Sequence, residues 1–100
     1  MIHVIVTYTI DTDFVEKNKH NIADFLTDFK KRDSSKFRYS VFTDSEGSTF
    51  THLSEYADAT IQQELLNVPS FLKFQQERDL HILNDSHVFK ELLPVGSSSI

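Results

Sequence analysis

The chain lacks cysteine and tryptophan, and it has only two glycines and two prolines among its 100 residues. Without cysteine, no disulfide framework, thiolate nucleophile or cysteine-based metal site can form. Two glycines are too few for a glycine-rich phosphate loop, and no Ser-His-Asp arrangement is legible. The five histidines show no metal-ligand spacing. The sequence therefore predicts neither a metal site nor a flavin or other cofactor.

A basic surface and a long apolar run are also missing. The net charge is −5, and the only basic run is Lys30-Lys31-Arg32, at the end of a predicted helix where cations complement the helix dipole. No apolar run approaches the roughly 20 residues that cross a bilayer, and the N-terminus has the pattern of a strand rather than a signal peptide. We expect a cytoplasmic protein without a nucleic-acid or membrane partner.

What is present is a regular alternation of strand and helix patterns. Apolar alternation predicts a first strand over Ile2 to Ile10, and a helical period predicts a helix from Phe14 to about Arg32. Two further strands, 37–43 and 49–56, flank a polar loop that contains Gly47.

The second half of the chain predicts a helix, a break and a last strand. Asp58 can cap a helix over 59–66, and Pro69 suits the first turn of a new helix that runs to about Leu80. A last strand is predicted over 88–95, where Pro94 confines it to a sheet edge. The order β-α-β-β-α-β predicts an α+β, ferredoxin-like domain over residues 1–96, with an antiparallel sheet, both helices on one face and a flexible tail at 97–100.

The other face of this sheet is left open. If Thr43 lies opposite Thr49, Ser40 faces His52, and the open face carries a set of apolar side chains from three strands: Ile5, Phe37, Tyr39, Val41 and Leu53. A monomer would expose these as one large apolar patch, which two sheets packed face to face would cover. The pattern therefore predicts a homodimer through the open face.

Two segments, GSTFTHLSEYAD (47–58) and LLNVPSFLKFQQ (65–76), resemble the antibiotic-biosynthesis-monooxygenase-like group of dimeric α/β-barrel proteins. The resemblance implies a dimeric α/β barrel with a pocket between each sheet and its helices. Some members oxidise aromatic polyketides or quinols with O2 and need neither metal nor flavin. The haem-degrading branch carries Asn, Trp and His at places where this chain has Val6, Tyr56 and about Gln75, so haem degradation is not expected.

His52 is the candidate catalytic residue. It alternates onto the same strand face as Phe50, Ser54 and Tyr56, which we expect to be the pocket face. A histidine in an apolar cleft can titrate near neutrality and abstract a proton from a phenolic substrate. The alternative is a core histidine that is hydrogen-bonded to a neighbour such as Ser40.

Four residues are candidates for contacting a substrate: Tyr8, Arg38, Ser40 and Tyr56. The tyrosines can donate hydrogen bonds to a substrate oxygen or simply pack at the pocket rim. Arg38, expected on the face of Ser40, can hold an anionic oxygen or be solvated. Two functions stay open: a small cofactor-free oxygenase for an aromatic or quinol-like substrate, and a non-catalytic dimeric domain for ligand binding or interaction.

Overall fold

A computed structural model describes residues 1–99, so that Ile100, the end of the predicted tail, lies outside the described residues. The strands are β1 (Ile2–Thr9), β2 (Phe37–Thr43), β3 (Thr49–Tyr56) and β4 (Val88–Leu92); the helices are α1 (Val15–Phe29), α2 (Ala59–Leu66) and α3 (Pro69–Asp79), with a 3-10 turn over Thr12–Phe14. The predicted α+β class and element order are confirmed. No helix within residues 1–99 combines the length and apolar character needed to span a membrane.

Local side-chain chemistry sets the helix starts. The Asp11 carboxylate accepts a hydrogen bond from the backbone N–H of Phe14 at 3.1 Å, and Asp58 caps α2 in the same way through Ile61 at 2.9 Å. Pro69 occupies the first turn of α3, where its missing N–H costs nothing. The predicted breaks therefore fall where expected, while α1 ends at Phe29, before the predicted Arg32.

The four strands form one antiparallel sheet in the order β2-β3-β1-β4. Alternate side chains of β1 and β3 point toward the helices, and they pack against apolar residues of α1, α2 and α3. The core members are Val4, Tyr8, Ile10, Phe14, Ile22, Phe25, Phe29, Phe50, Tyr56, Leu65, Val68, Phe71 and Phe74. β4 is an edge strand with exposed side chains, and it ends at Leu92, three residues before the predicted end at Val95; Pro94, which has no N–H to donate, lies beyond it.

The register of the β2–β3 hairpin differs from the prediction by one residue. Thr43 lies opposite Phe50 rather than Thr49, and Val41 rather than Ser40 lies opposite His52. The turn explains the difference, because it starts at Asp44 and leaves a four-residue loop, 45–48. The Asp44 N–H donates to the Thr49 carbonyl at 3.0 Å, and its carboxylate accepts from the Gly47 N–H at 2.8 Å.

A one-residue shift moves every side chain of β2 to the other face of the sheet. Phe37, Tyr39 and Val41 therefore lie on the helix side, and the prediction that they belong to the open face was wrong. Their places on the open face are taken by Arg38, Ser40 and Phe42. Ile5 and Leu53 lie on the open face as predicted, so that this face is apolar in part and polar in part.

Candidate functional site

A cavity of about 150 Å³ lies between the helix side of the sheet and helices α2 and α3. The strands contribute Val4, Val6, Tyr39, His52, Ser54 and Tyr56; the helices contribute Gln62, Leu66, Phe71, Gln75 and Arg78; and His87 and Phe89 form the rim. A cavity of this size holds a benzene-sized ring. Phe89 is 58% exposed, so the cavity opens to solvent beside β4.

His52 is buried in the cavity wall, and hydrogen bonds occupy both of its ring nitrogens. Its Nε2 lies 2.8 Å from the Tyr8 hydroxyl, and its Nδ1 lies 2.8 Å from the Tyr39 hydroxyl. The rings of Phe25 and Phe74 pack around the imidazole. His52 therefore matches the alternative given from the sequence, a core histidine with hydrogen-bonded nitrogens. Its partners are two tyrosines and not Ser40.

The hydrogen bonds continue behind His52 into helix α1. The Asn18 side-chain amide donates to the Tyr8 hydroxyl at 3.0 Å, and both residues are completely buried. Asn18, Tyr8, His52 and Tyr39 therefore form one continuous chain of hydrogen bonds, which we call the polar chain. It runs from the α1–sheet interface to the cavity wall.

Burial sets the protonation of this group. It lowers the pKa of His52 to about 3, with further lowering by the positive charge of Arg78 and by His87. His52 is therefore neutral at ordinary pH, and the expectation of a pKa near neutrality was wrong. Burial also raises the pKa of Tyr8, of Tyr39 and of Tyr56, so the three hydroxyl groups keep their protons.

Arg78 brings a positive charge to the cavity wall. Its side chain is nearly buried, and its guanidinium lies 5.3 Å from the ring centroids of both Tyr8 and Phe74. Its Nε and Nη2 donate to the Asp79 carboxylate at 3.1 and 2.9 Å, on the exposed side of α3. Because the neighbouring histidines have lowered pKa values, Arg78 gives this end of the cavity a positive charge.

Comparisons with known proteins identify solved structures that share the fold of this chain, but no protein that is close to it in sequence. No protein-family model matches the sequence, and no curated protein is similar to it at a significant level. An antibiotic biosynthesis monooxygenase of known structure superposes with a TM-score of 0.79 and 16% identity, over 96% of this chain and all (100%) of the other. The chain has the fold of the antibiotic biosynthesis monooxygenases.

Two other solved structures agree. Rv0793 from Mycobacterium tuberculosis has a TM-score of 0.79 and 15% identity, with 98% of each chain covered. SnoaB from Streptomyces nogalater, a cofactor-independent oxygenase, has a TM-score of 0.75 and 10% identity over 99% of this chain and 97% of its own. The resemblance predicted from residues 47–76 is thereby confirmed, and at these identities it concerns the fold alone.

Within this monooxygenase fold, the predicted site residues separate into three groups. His52 and Tyr56 lie in the cavity wall, whereas Tyr8 lies behind His52 and does not line the cavity. Arg38 and Ser40 line a shallow depression of about 330 Å³ on the open face. Their expected place beside His52 was wrong, because the hairpin register turns them to the opposite side of the sheet.

Tyr39, Arg78 and Asn18 were missed from the sequence. Tyr39 could have been found from Asp44 and Gly47, because Asp at the first and Gly at the fourth position of a turn fix the hairpin register. Arg78 follows Phe71 and Phe74 by seven and four residues, a spacing that predicts the buried face of α3. Nothing in the sequence predicts that Asn18 contacts Tyr8.

The histidines and carboxylates do not gather into a metal site. Among residues 1–99, no three His, Cys, Asp or Glu side chains lie close enough together to hold a metal ion. The pair of His81 and Asp11, 2.8 Å apart, stands alone on the surface, and His3 pairs with Glu55 on the open face. The cavity is therefore the candidate functional site.

Proposed function

We propose that the protein is a cofactor-independent monooxygenase that acts on a small aromatic or quinol-type substrate in the cavity. The observation that carries this proposal is a ring-sized cavity whose wall combines aromatic side chains with polar groups, among them the Tyr39 hydroxyl and the Arg78 guanidinium. Apolar and aromatic surface together with placed polar groups is typical of small-molecule sites. The shared fold with SnoaB, itself described as a cofactor-independent oxygenase, supports the proposal.

The proposed reaction converts a hydroquinone and O2 into a hydroxyquinone and water. Loss of a phenolic proton makes the ring electron-rich, and a ring carbon beside the phenolate delivers an electron pair to O2 to form a C–O bond. That carbon then loses its proton, the O–O bond breaks, and the outer oxygen leaves as water after it takes up the phenolic proton and the ring proton. The residues needed are those that stabilise the phenolate, here Tyr39 and Arg78.

His52 would act through Tyr39 in this scheme and would not touch the substrate as a base, because both of its nitrogens are occupied. Tyr56 would contact the ring from the sheet side of the cavity, the side to which Tyr39 also belongs. The phenolic proton would pass to His87 at the rim, an exposed side chain with no hydrogen-bond partner within residues 1–99. Partial burial and Arg78 lower the pKa of His87, so its imidazole is neutral and can accept a proton near pH 7.

Oxygen uptake tests the proposal. Wild-type protein in a chelator, with no flavin or metal added, should consume O2 when single-ring hydroquinones are supplied and release the hydroxyquinone. Tyr39→Phe removes one phenolate-stabilising donor and should lower kcat/KM about 100-fold. Thr49→Val removes a hydroxyl that is hydrogen-bonded to Thr9 on the open face, and it should leave the rate unchanged. Uptake that equals the uncatalysed rate for every hydroquinone would refute the oxygenase proposal.

A non-catalytic domain that binds a small ligand is the second candidate. The observation that favours it is the sequestered state of His52, which is buried, doubly hydrogen-bonded and neutral because of its low pKa. Such a residue can serve cavity structure alone. Binding of a single-ring phenol without oxygen uptake would favour this candidate.

We also propose that the open face pairs with a second copy of the chain. Phe42, Leu53, Val88 and Leu92 are 54%, 39%, 45% and 39% exposed on that face, beside the partly buried Ile5. Apolar side chains gathered on one sheet face favour a face-to-face partner. The homodimer, the cytoplasmic location and the single domain over residues 1–96 are predictions from the sequence that await experiment.

Leu53→Asp should convert the dimer into monomers, because the new carboxylate would be buried in the centre of the paired sheets. Size-exclusion chromatography with light scattering measures the mass directly. Leu80→Asp is the matched control, since Leu80 is 81% exposed at the end of α3, away from the open face. A Leu53→Asp protein that has the same dimeric mass as wild type and Leu80→Asp would show that the open face is not the interface.

A further inference from the structure

The direction of the polar chain follows from counting its hydrogens. The Asn18 amide nitrogen donates to the Tyr8 oxygen at 3.0 Å. Tyr8 has one hydroxyl hydrogen of its own, and its remaining partner within residues 1–99 is the Nε2 of His52, 2.8 Å away. Tyr8 therefore donates to Nε2, and Nε2 carries no hydrogen.

Counting hydrogens in the same way assigns the donor and the acceptor in the hydrogen bond between His52 and Tyr39. A neutral imidazole carries one hydrogen, which must then lie on Nδ1 and be donated to the Tyr39 oxygen at 2.8 Å. Burial keeps the ring neutral by lowering the pKa of His52. The hydroxyl hydrogen of Tyr39 is left without a partner within residues 1–99, and Tyr39 forms part of the cavity wall.

We propose that Asn18 and Tyr8 are positioning residues that hold His52 in the Nδ1–H tautomer, so that Tyr39 offers its hydroxyl hydrogen to the oxyanion of a single-ring phenolate in the cavity. This inference rests on the proposed function, in which the cavity is the ligand site. It further specifies that the ligand binds in its ionised form. The polar chain thus makes Tyr39 a donor rather than an acceptor.

The charges around the cavity favour the same ligand state. Arg78 of α3 is the cation in the wall, and Asp79 pairs with it on the solvent side. The titratable groups from the other elements are Tyr8 of β1, Tyr39 of β2, His52 and Tyr56 of β3, and His87 before β4. All of these are neutral near pH 7 because of their pKa values, and α2 lines the cavity with uncharged Gln62 and Leu66. An anion in the cavity therefore meets a positive charge and a hydroxyl donor.

Reversal of the polar chain would have the opposite consequence. If residue 18 accepted from Tyr8, Tyr8 would accept from Nε2–H, and Nδ1 would accept the Tyr39 hydrogen. Tyr39 would then offer only a lone pair to the cavity, and a neutral phenol would bind better than a phenolate. At a pH at which the new carboxyl is ionised, Asn18→Asp imposes this reversal, because a carboxylate accepts hydrogen bonds and donates none.

The probe is 4-nitrophenol, whose ionised form is yellow and whose neutral form is not. A titration of its absorbance against pH, with and without excess protein, gives the affinities of the two forms. Wild-type protein should bind the ionised form about tenfold to a hundredfold more tightly than the neutral one, as expected for a hydrogen bond to a charged group together with a nearby cation. Tyr39→Phe should lose about tenfold of this preference, Asn18→Asp should bind the neutral form more tightly than the ionised one, and Thr49→Val should keep the wild-type preference.

Nitrogen-15 NMR of the imidazoles supplies a readout that does not depend on the ligand or on activity. The wild type should show His52 as the Nδ1–H tautomer, and Asn18→Asp should shift it to Nε2–H. Preferential binding of neutral 4-nitrophenol, no binding at all, or an Nε2–H tautomer in the wild type would each overturn the inference. If Asn18→Asp does not fold, the tautomer of His52 in the wild type and the ligand preference of Tyr39→Phe still test the inference.

The outcomes separate this inference from the oxygenase proposal. Ionised 4-nitrophenol bound by a protein that consumes no O2 with hydroquinones would uphold the inference and remove the oxygenase function. Oxygen uptake by a protein that binds the neutral probe would overturn the inference and leave the oxygenase function standing.

Discussion

Acidification from pH 6.5 to about pH 4 should lower the free energy of unfolding by about 3 kcal/mol through His52 alone. Burial lowers the pKa of His52 from 6.5 to about 3, so between these values the unfolded chain binds one proton that the folded chain does not. Stability therefore rises with pH across this window, by about 1.4 kcal/mol per pH unit from this group. The contribution is fully present above pH 6.5 and is lost as the pH falls toward 3.

Urea unfolding at a series of pH values measures this dependence. His52→Gln should be less stable than wild type near pH 7, and its stability should fall much less steeply on acidification. His20→Gln is the matched control, because the His20 side chain is 67% exposed on α1 and should leave the wild-type slope intact. Parallel curves for wild type and His52→Gln between pH 6.5 and 4 would show that His52 is not buried in the neutral state.

The fold could be predicted from the sequence because its signals are local. Strand alternation, the helical period of α1, the cap at Asp58 and the break at Pro69 each depend on residues near one another, and each element appears in the structure. The edge position predicted for the last strand is also observed for β4. These features require no knowledge of how the elements pack.

The site could be predicted only in part, because it depends on register and packing. The predicted loop after Thr43 is one residue longer than the observed one, and this single difference exchanges Tyr39 with Ser40 across the sheet. Tyr39 thereby passed from the presumed dimer face to the cavity wall. The sequence carried the information in the Asp44–Gly47 turn, but hydrophobic alternation alone could not distinguish the two registers.

The polar chain could not be predicted from the sequence. His52 and Tyr8 could be placed on one face by alternation, but the distances that join them to Asn18 arise from the docking of α1 on the sheet. The size of the shift in the His52 pKa also depends on how completely the helices bury it. Side chains from three elements thus convert an expected base into a neutral link between two tyrosines.

The central claim is that the cavity between sheet and helices takes up a single-ring phenol. Hydroquinone at about 100 times its dissociation constant should raise the stability of the wild type by about 2.7 kcal/mol, and thereby raise Tm by roughly 10 °C or more for a domain of this size. Val6 lines the cavity, so Val6→Phe should fill it with a ring of the protein's own and abolish the response. Ile5→Phe places a phenyl ring on the opposite face of β1 and should retain the response.

Thermal unfolding of these three proteins with and without hydroquinone is the most direct measurement. A ligand-induced rise in Tm for wild type and Ile5→Phe, with none for a cooperatively folded Val6→Phe, is the predicted result. An equal rise in Val6→Phe, or no rise in the wild type with any single-ring phenol, would contradict the claim that this cavity is the binding site.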